Sequence, residues 1–166
     1  TAALQLKPDH FRSLANRGKA RLGRGEVPGA LEDLNAALAL QPGEVNVLCD
    51  RGSARYARGD TAGALRDYDE AIAARPDIPA LYNNRGNIRL AVKDYAAAIE
   101  DYSRALKLRP TYVKALLSRG EARYRSGDAT GGGADVEGAL KMAPAGWASR
   151  PQAEKLLGEI RGGAGK

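Results

Sequence analysis

Pro8, Pro42, Pro76, Pro110 and Pro144 follow one another at a constant interval of 34 residues. The same interval recurs in Gly18, Gly52, Gly86 and Gly120, in Ala37, Ala71, Ala105 and Ala139, and in the apolar column Leu38, Ile72, Leu106 and Leu140. A unit this short cannot bury a core by itself. A fixed period of this size therefore demands that successive units stack and share one continuous core, which is the defining property of a solenoid.

Each unit reads as two helices joined by a short turn. In the third, Leu81, Tyr82, Ile88 and Leu90 form one amphipathic segment, Val92-Lys93-Asp94 turns, and Ala98, Ile99, Tyr102, Ala105 and Leu106 recur at helical spacing in a second. Pro110 ends the unit because it lacks an N–H to donate and pushes its predecessor out of the helical region. The pattern predicts first helices over residues 11–24, 45–58, 79–92 and 113–126, and second helices over 27–40, 61–74, 95–108 and 129–142. A glycine in mid-helix costs about 1 kcal/mol relative to alanine. Its recurrence in every first helix points to close helix contact, with Ala30, Ala64, Ala98 and Gly132 the expected facing residues twelve positions on.

Composition narrows the chemistry. Hydrophobic residues make up 43% of the chain, enough for a substantial core, and no run of about 18 or more apolar residues is present to cross a membrane. A soluble chain is expected, compatible with a reducing compartment, because the single cysteine, Cys49, cannot form an internal disulfide. With one histidine, His10, far from Cys49, no metal site and no cofactor are expected. His10 lacks a nucleophile pattern, and Gly131-Gly132-Gly133 lacks the Lys-Ser/Thr of a phosphate loop, so it reads as a loosened stretch of helix. The net charge of +6 admits an acidic protein, a nucleic acid or an anionic surface as partner.

Arginines recur in pairs four residues apart, Arg17/Arg21, Arg51/Arg55, Arg85/Arg89 and Arg119/Arg123, while Asp33, Asp67, Asp101 and Asp135 recur on the second helices. Two readings follow. The columns could track phosphates, or Arg21, Arg55, Arg89 and Arg123 could form an internal salt-bridge ladder with the aspartates. The ladder is preferred, since a guanidinium grips a carboxylate through parallel hydrogen bonds and charges between helices are paired.

The third unit, with Leu81-Tyr82-Asn83-Asn84-Arg85-Gly86, Asp94-Tyr95, Ala98-Ile99-Glu100-Asp101-Tyr102, Ala105-Leu106 and Pro110, resembles the tetratricopeptide repeat family, and the resemblance extends over almost the whole chain. It implies an all-α, right-handed superhelical solenoid of antiparallel helix pairs whose first helices line a concave groove. Residues 9–42, 43–76, 77–110 and 111–144 would be four repeats, 1–8 the end of a preceding one, 145–161 a capping helix and 162–166 a flexible tail. Where the family commonly carries an aromatic late in the first helix, this chain has the arginines. The implied function is a non-catalytic scaffold that binds a partner protein or peptide, with no small-molecule substrate. An RNA-associated repeat subunit using its Arg/Lys surface is the alternative. Projected onto the family architecture, the groove would carry Lys19, Ser53, Tyr56, Asn83, Asn87, Lys114, Tyr124 and Arg125, suited to an acidic segment whose main chain the asparagines hold. The clamp that some members use on acidic chaperone tails is mostly missing. Asn84 and Lys114 match it, but Cys49, Ser53 and Ser118 stand at its other positions.

Overall fold

The computed structural model describes the backbone of residues 2–163 and the side chains of residues 10–162. Every regular element among them is an α-helix, and the chain divides into two compact units, Thr1–Asp77 and Ile78–Lys166. The architecture is an all-α helical repeat solenoid. The first unit holds α1 (Ala2–Gly23), α2 (Val27–Leu40), α3 (Val45–Ala57) and α4 (Thr61–Ala74). The second holds α5 (Pro79–Ala91), α6 (Tyr95–Leu108), α7 (Val113–Arg125), α8 (Ala129–Met142) and α9 (Arg150–Gly163). Within each unit consecutive helices pack on one another, so α2 lies against both α1 and α3, and α8 against both α7 and α9.

The local chemistry explains where helices begin and end. Asp60, Asp94 and Asp128 cap α4, α6 and α8, each accepting a hydrogen bond from the backbone N–H three residues on, at Gly63, Ala97 and Gly131. Such a cap is worth about 1 kcal/mol. The preceding turn needs a left-handed residue, supplied by Gly25, Gly59 and Gly127; among the described residues only Lys93 adopts that conformation with a side chain, at φ 65°. The second helices α2, α4, α6 and α8 stop two residues before Pro42, Pro76, Pro110 and Pro144.

The first helices end one residue earlier than expected, and two elements differ from the sequence expectation by more. The first helix runs unbroken from Ala2 through Pro8, rather than starting near residue 11. Proline removes one hydrogen bond, but its fixed φ is itself helical, so the ladder resumes on either side. The last helix starts at Arg150 and continues to Gly163, past the expected end of a cap at residue 161. Thr1 and the end of the expected tail, residues 164–166, lie outside the described residues.

The expected small-against-small contact holds between Gly120 and Gly132, where a Cβ on either would lie within 2.9 Å of the other's carbonyl oxygen, but the nearest neighbours of the four first-helix glycines are larger side chains. A Cβ on Gly18 would lie 2.8 Å from Leu34 Cγ, on Gly52 3.0 Å from Tyr68 Cε2, on Gly86 2.8 Å from Tyr102 Cε1, and on Gly120 2.7 Å from Val136 Cγ2. Each glycine is thus a notch that seats the large residue sixteen positions later, and the columns face Leu34, Tyr68, Tyr102 and Val136 more closely than the alanines. Tyr68 and Tyr102 are among the largest fully buried side chains. The notch is the means by which these side chains enter the core, where burial of one contributes about 1.5–3 kcal/mol.

Candidate functional site

Each aspartate column residue sits between the two arginines of its own helix pair. In the first unit Asp33 is 2.6 Å from Arg17 and 2.8 Å from Arg21, and Asp67 is 2.7 Å from Arg51 and 2.5 Å from Arg55. In the second Asp101 is 2.6 Å from Arg85 and 2.9 Å from Arg89, and Asp135 is 2.7 Å from Arg119 and 2.9 Å from Arg123. The arginine sixteen residues upstream grips the carboxylate through Nε and Nη2, while the one twelve upstream adds its Nη1. Arg21, Arg55 and Arg89 also donate to main-chain oxygens of Gly29, Gly63 and Ala97 near the start of the following helix. The four aspartates are buried. Hydrogen bonding from Arg17 holds the Asp33 carboxyl below the usual carboxylate range against the opposing effect of burial. These arginines are each tied to the aspartate of their own helix pair.

The expected groove residues have mixed fates. In the first unit Lys19 is exposed and lines a recess between α1 and α3 with Arg12, Asn16, Asn46 and Asp50. Burial pushes the Asp50 carboxyl up, and Lys19 partly offsets this. Tyr56 is 37% exposed. Ser53 is turned inward instead, its Oγ 2.9 Å from the Tyr68 hydroxyl, which also donates to the Cys49 carbonyl. The Cys49 thiol is pushed up to about 11, first by burial and then by Asp50 and Asp67, so it is protonated and unreactive at neutral pH.

In the second unit Asn87 and Arg125 share a recess between α5 and α7 with Leu90, Lys93, Tyr95 and Glu121. The Asn87 Oδ1 accepts from the Tyr102 hydroxyl at 2.9 Å, and the residue as a whole is exposed. Arg125 is bound to Glu121 at 2.8 Å, so its charge is largely spent, and Lys114 is exposed. Asn83 corrects the sequence expectation: it is 5% exposed, with its Oδ1 buried and without a hydrogen-bond partner. One turn separates it from Asn87, yet Asn83 is buried and Asn87 is exposed. Tyr124 is half-buried, and its Cβ would lie 3.2 Å from one placed on Gly132, so it belongs to the α7–α8 contact. Tyr95 and Lys93 were missed because they lie at the turn into α6, outside the first helices; the turn that places Tyr95 immediately after the Asp94 cap was the available signal.

Among the described residues no group of histidine, cysteine and carboxylate side chains could hold a metal ion, and no helix is long and apolar enough to cross a membrane. No curated protein sequence matches the chain closely. Solved structures do. The Pseudomonas aeruginosa protein PilF superposes with a TM-score of 0.83 at 16% identity, over 95% of this chain and 70% of that one. The second TPR domain of human RPAP3, solved in complex with the HSP70 peptide SGPTIEEVD, is 30% identical with a TM-score of 0.62, over 69% of this chain and 92% of that one. The first TPR of Spaghetti (RPAP3), bound to the HSP90 peptide SRMEEVD, is 26% identical with a TM-score of 0.68, over 74% of this chain and 94% of that one. Models of the tetratricopeptide repeat match residues 1–45 and 79–112, and a TPR repeat model matches 52–93. Helix pairs at this period, seated on glycine notches and matched by these models, make the chain a member of the tetratricopeptide repeat family.

Proposed function

We propose that the chain is a non-catalytic scaffold that holds an extended or helical segment of a partner protein on its first-helix faces. The recess between α5 and α7 carries the reading, because it combines the exposed amide of Asn87, apolar area on Leu90 and Tyr95, and charge of both signs on Lys93 and Glu121. Amide donors grip a main chain whatever its sequence, and the tyrosine offers amphipathic contact. An acidic stretch of the partner finds Lys93 and Lys114, since Arg125 is already paired with Glu121. In the first unit Lys19 and Tyr56 offer a separate first-helix face. That the two RPAP3 domains were solved with chaperone peptides supports a peptide ligand. A chaperone tail is not the proposed one: Cys49 is half-buried and Ser53 is turned to Tyr68. The repeat boundaries at 9–42, 43–76, 77–110 and 111–144 belong to the same proposal, with α9 as its cap.

Peptides selected on the full chain from a random library test this reading. Asn87→Ala combined with Leu90→Ala should weaken the best of them by about 2 kcal/mol, the loss of a central anchor. Glu70→Ala on α4 should leave affinity unchanged, with urea unfolding used to confirm that each variant is folded. Weakening by Glu70→Ala without weakening by the α5 pair would move the binding surface to the second helices.

A further inference from the structure

Charge is divided very unevenly between the two units. Residues 1–77 hold eleven basic and eleven acidic side chains and residues 78–166 hold fifteen and nine, so the whole net charge of +6 resides in the second unit. Within that unit no acidic residue occurs from Tyr102 to Gly120, a stretch carrying Arg104, Lys107, Arg109 and Lys114 around the corner from α6 to α7. All four are exposed and make no ion pair among the described residues, in contrast with the arginine columns. Complementing the negative end of the α6 dipole accounts for Lys107 in its last turn, but Arg109 stands beyond that turn. Two of the cations lie over aromatic rings: Arg104 is 5.9 Å from the Tyr82 centroid and Arg109 is 5.2 Å from that of Tyr112.

We infer that the α6–α7 corner is a binding site for single-stranded nucleic acid, separate from the recess that holds the peptide. Unpaired cations on an acid-free segment release counterions when they meet phosphates, which the aspartate-bound arginines do not. The half-exposed Tyr112, with a guanidinium stacked on it, adds a flat surface on which an unpaired base rests. That second element favours a nucleic acid over an acidic peptide or a lipid headgroup, neither of which has a base to stack.

The test uses the full chain and a labelled oligouridylate, with binding followed by fluorescence anisotropy as a function of salt. Arg104→Gln, Lys107→Gln and Arg109→Gln together should lower the slope of log affinity against log salt by about 2, at roughly 0.7 per phosphate contact on a single strand. Arg12→Gln, Arg58→Gln and Arg66→Gln, an equal change in charge on exposed residues of the first unit, should leave the slope in place. Tyr112→Leu should reduce affinity about tenfold at every salt concentration. No binding of oligouridylate at low salt, or an equal loss of slope in the two triple variants, would overturn the proposal. So would an inert Tyr112→Leu, or a polyglutamate peptide or phosphatidylserine vesicle that needs the three residues when oligouridylate does not. Lys114, which the proposed peptide face shares, is left unchanged, so failure here is distinguishable from failure of the peptide reading.

Discussion

Replacing Asp67 by alanine should cost the first unit about 3 kcal/mol, measured as a shift in its urea midpoint at unchanged slope. The carboxylate is 1% exposed and accepts from Arg51 Nε and Nη2 and from Arg55 Nη1. Its removal leaves two guanidiniums side by side, 16% and 24% exposed, repelling one another with nothing between them. Asp33→Ala should cost less, because Arg17 is 57% exposed and water can take over its hydrogen bonds. The loss in Asp67→Ala is therefore mostly the cost of unpaired buried charge and not the net worth of the ladder. Replacing all three groups, as Arg51→Met, Arg55→Met and Asp67→Leu, should recover much of it. A loss below about 1 kcal/mol for Asp67→Ala, or one equal to that of Asp33→Ala, would show the ladder to be ornamental to stability. Acid should reveal the Asp33 member of the ladder. A carboxyl with a lowered pKa contributes stability that is whole above its unfolded value, near 3.9, and is lost as pH falls through its folded value. For Asp33 the loss accordingly falls below the ordinary aspartate range.

The period, the helix pairs and the arginine–aspartate spacing could be read from the chain because they are repeated. A residue that recurs at one register in several units averages out local accident. The second helices were placed at Val27–Leu40, Thr61–Ala74, Tyr95–Leu108 and Ala129–Met142 because an aspartate or turn signal opens most of them and a proline follows each. Single-copy features were harder. Asn83 and Asn87 sit one turn apart, and helical spacing gave them one face, yet one is buried and the other open. A helix face in a solenoid has its edges covered by neighbours to different depths, and periodicity carries no information on that depth. Tyr124 shows the same limit, since its contact with Gly132 depends on how closely α7 and α8 approach. The uneven charge of the two units needed only the count of residues, but the boundary at Asp77 that makes the count meaningful came from the structure.

That dependence on helix approach makes the glycine triplet of α8 a sharp test, because identical substitutions at adjacent positions should have opposite signs. Sequence alone reads Gly131-Gly132-Gly133 as one loosened segment, yet α8 is a full helix of 14 residues in which the three have different neighbours. Gly131 lies beside the Asp128 cap. A Cβ on Gly132 would lie 2.8 Å from the Gly120 oxygen and 3.0 Å from the Tyr124 nitrogen, both backbone atoms of α7 that no side-chain rotation can withdraw. Gly132→Ala must push α7 and α8 apart, which also loosens Val136 in the Gly120 notch. The expected net cost is about 2 kcal/mol, overpacking outweighing the gain in helix propensity. At Gly133 a Cβ would meet only Ile160 Cγ2, at 3.6 Å, an ordinary contact with α9. Gly133→Ala should therefore stabilise by about 0.5–1 kcal/mol, from propensity and the restricted unfolded chain. Urea midpoints followed by circular dichroism would separate the two variants by about 3 kcal/mol, and hydrogen exchange would slow across α8 in Gly133→Ala while quickening in Gly132→Ala. If both alanines stabilised equally, α7 and α8 would not be in backbone contact, and the notch account of the glycine columns would fail with them.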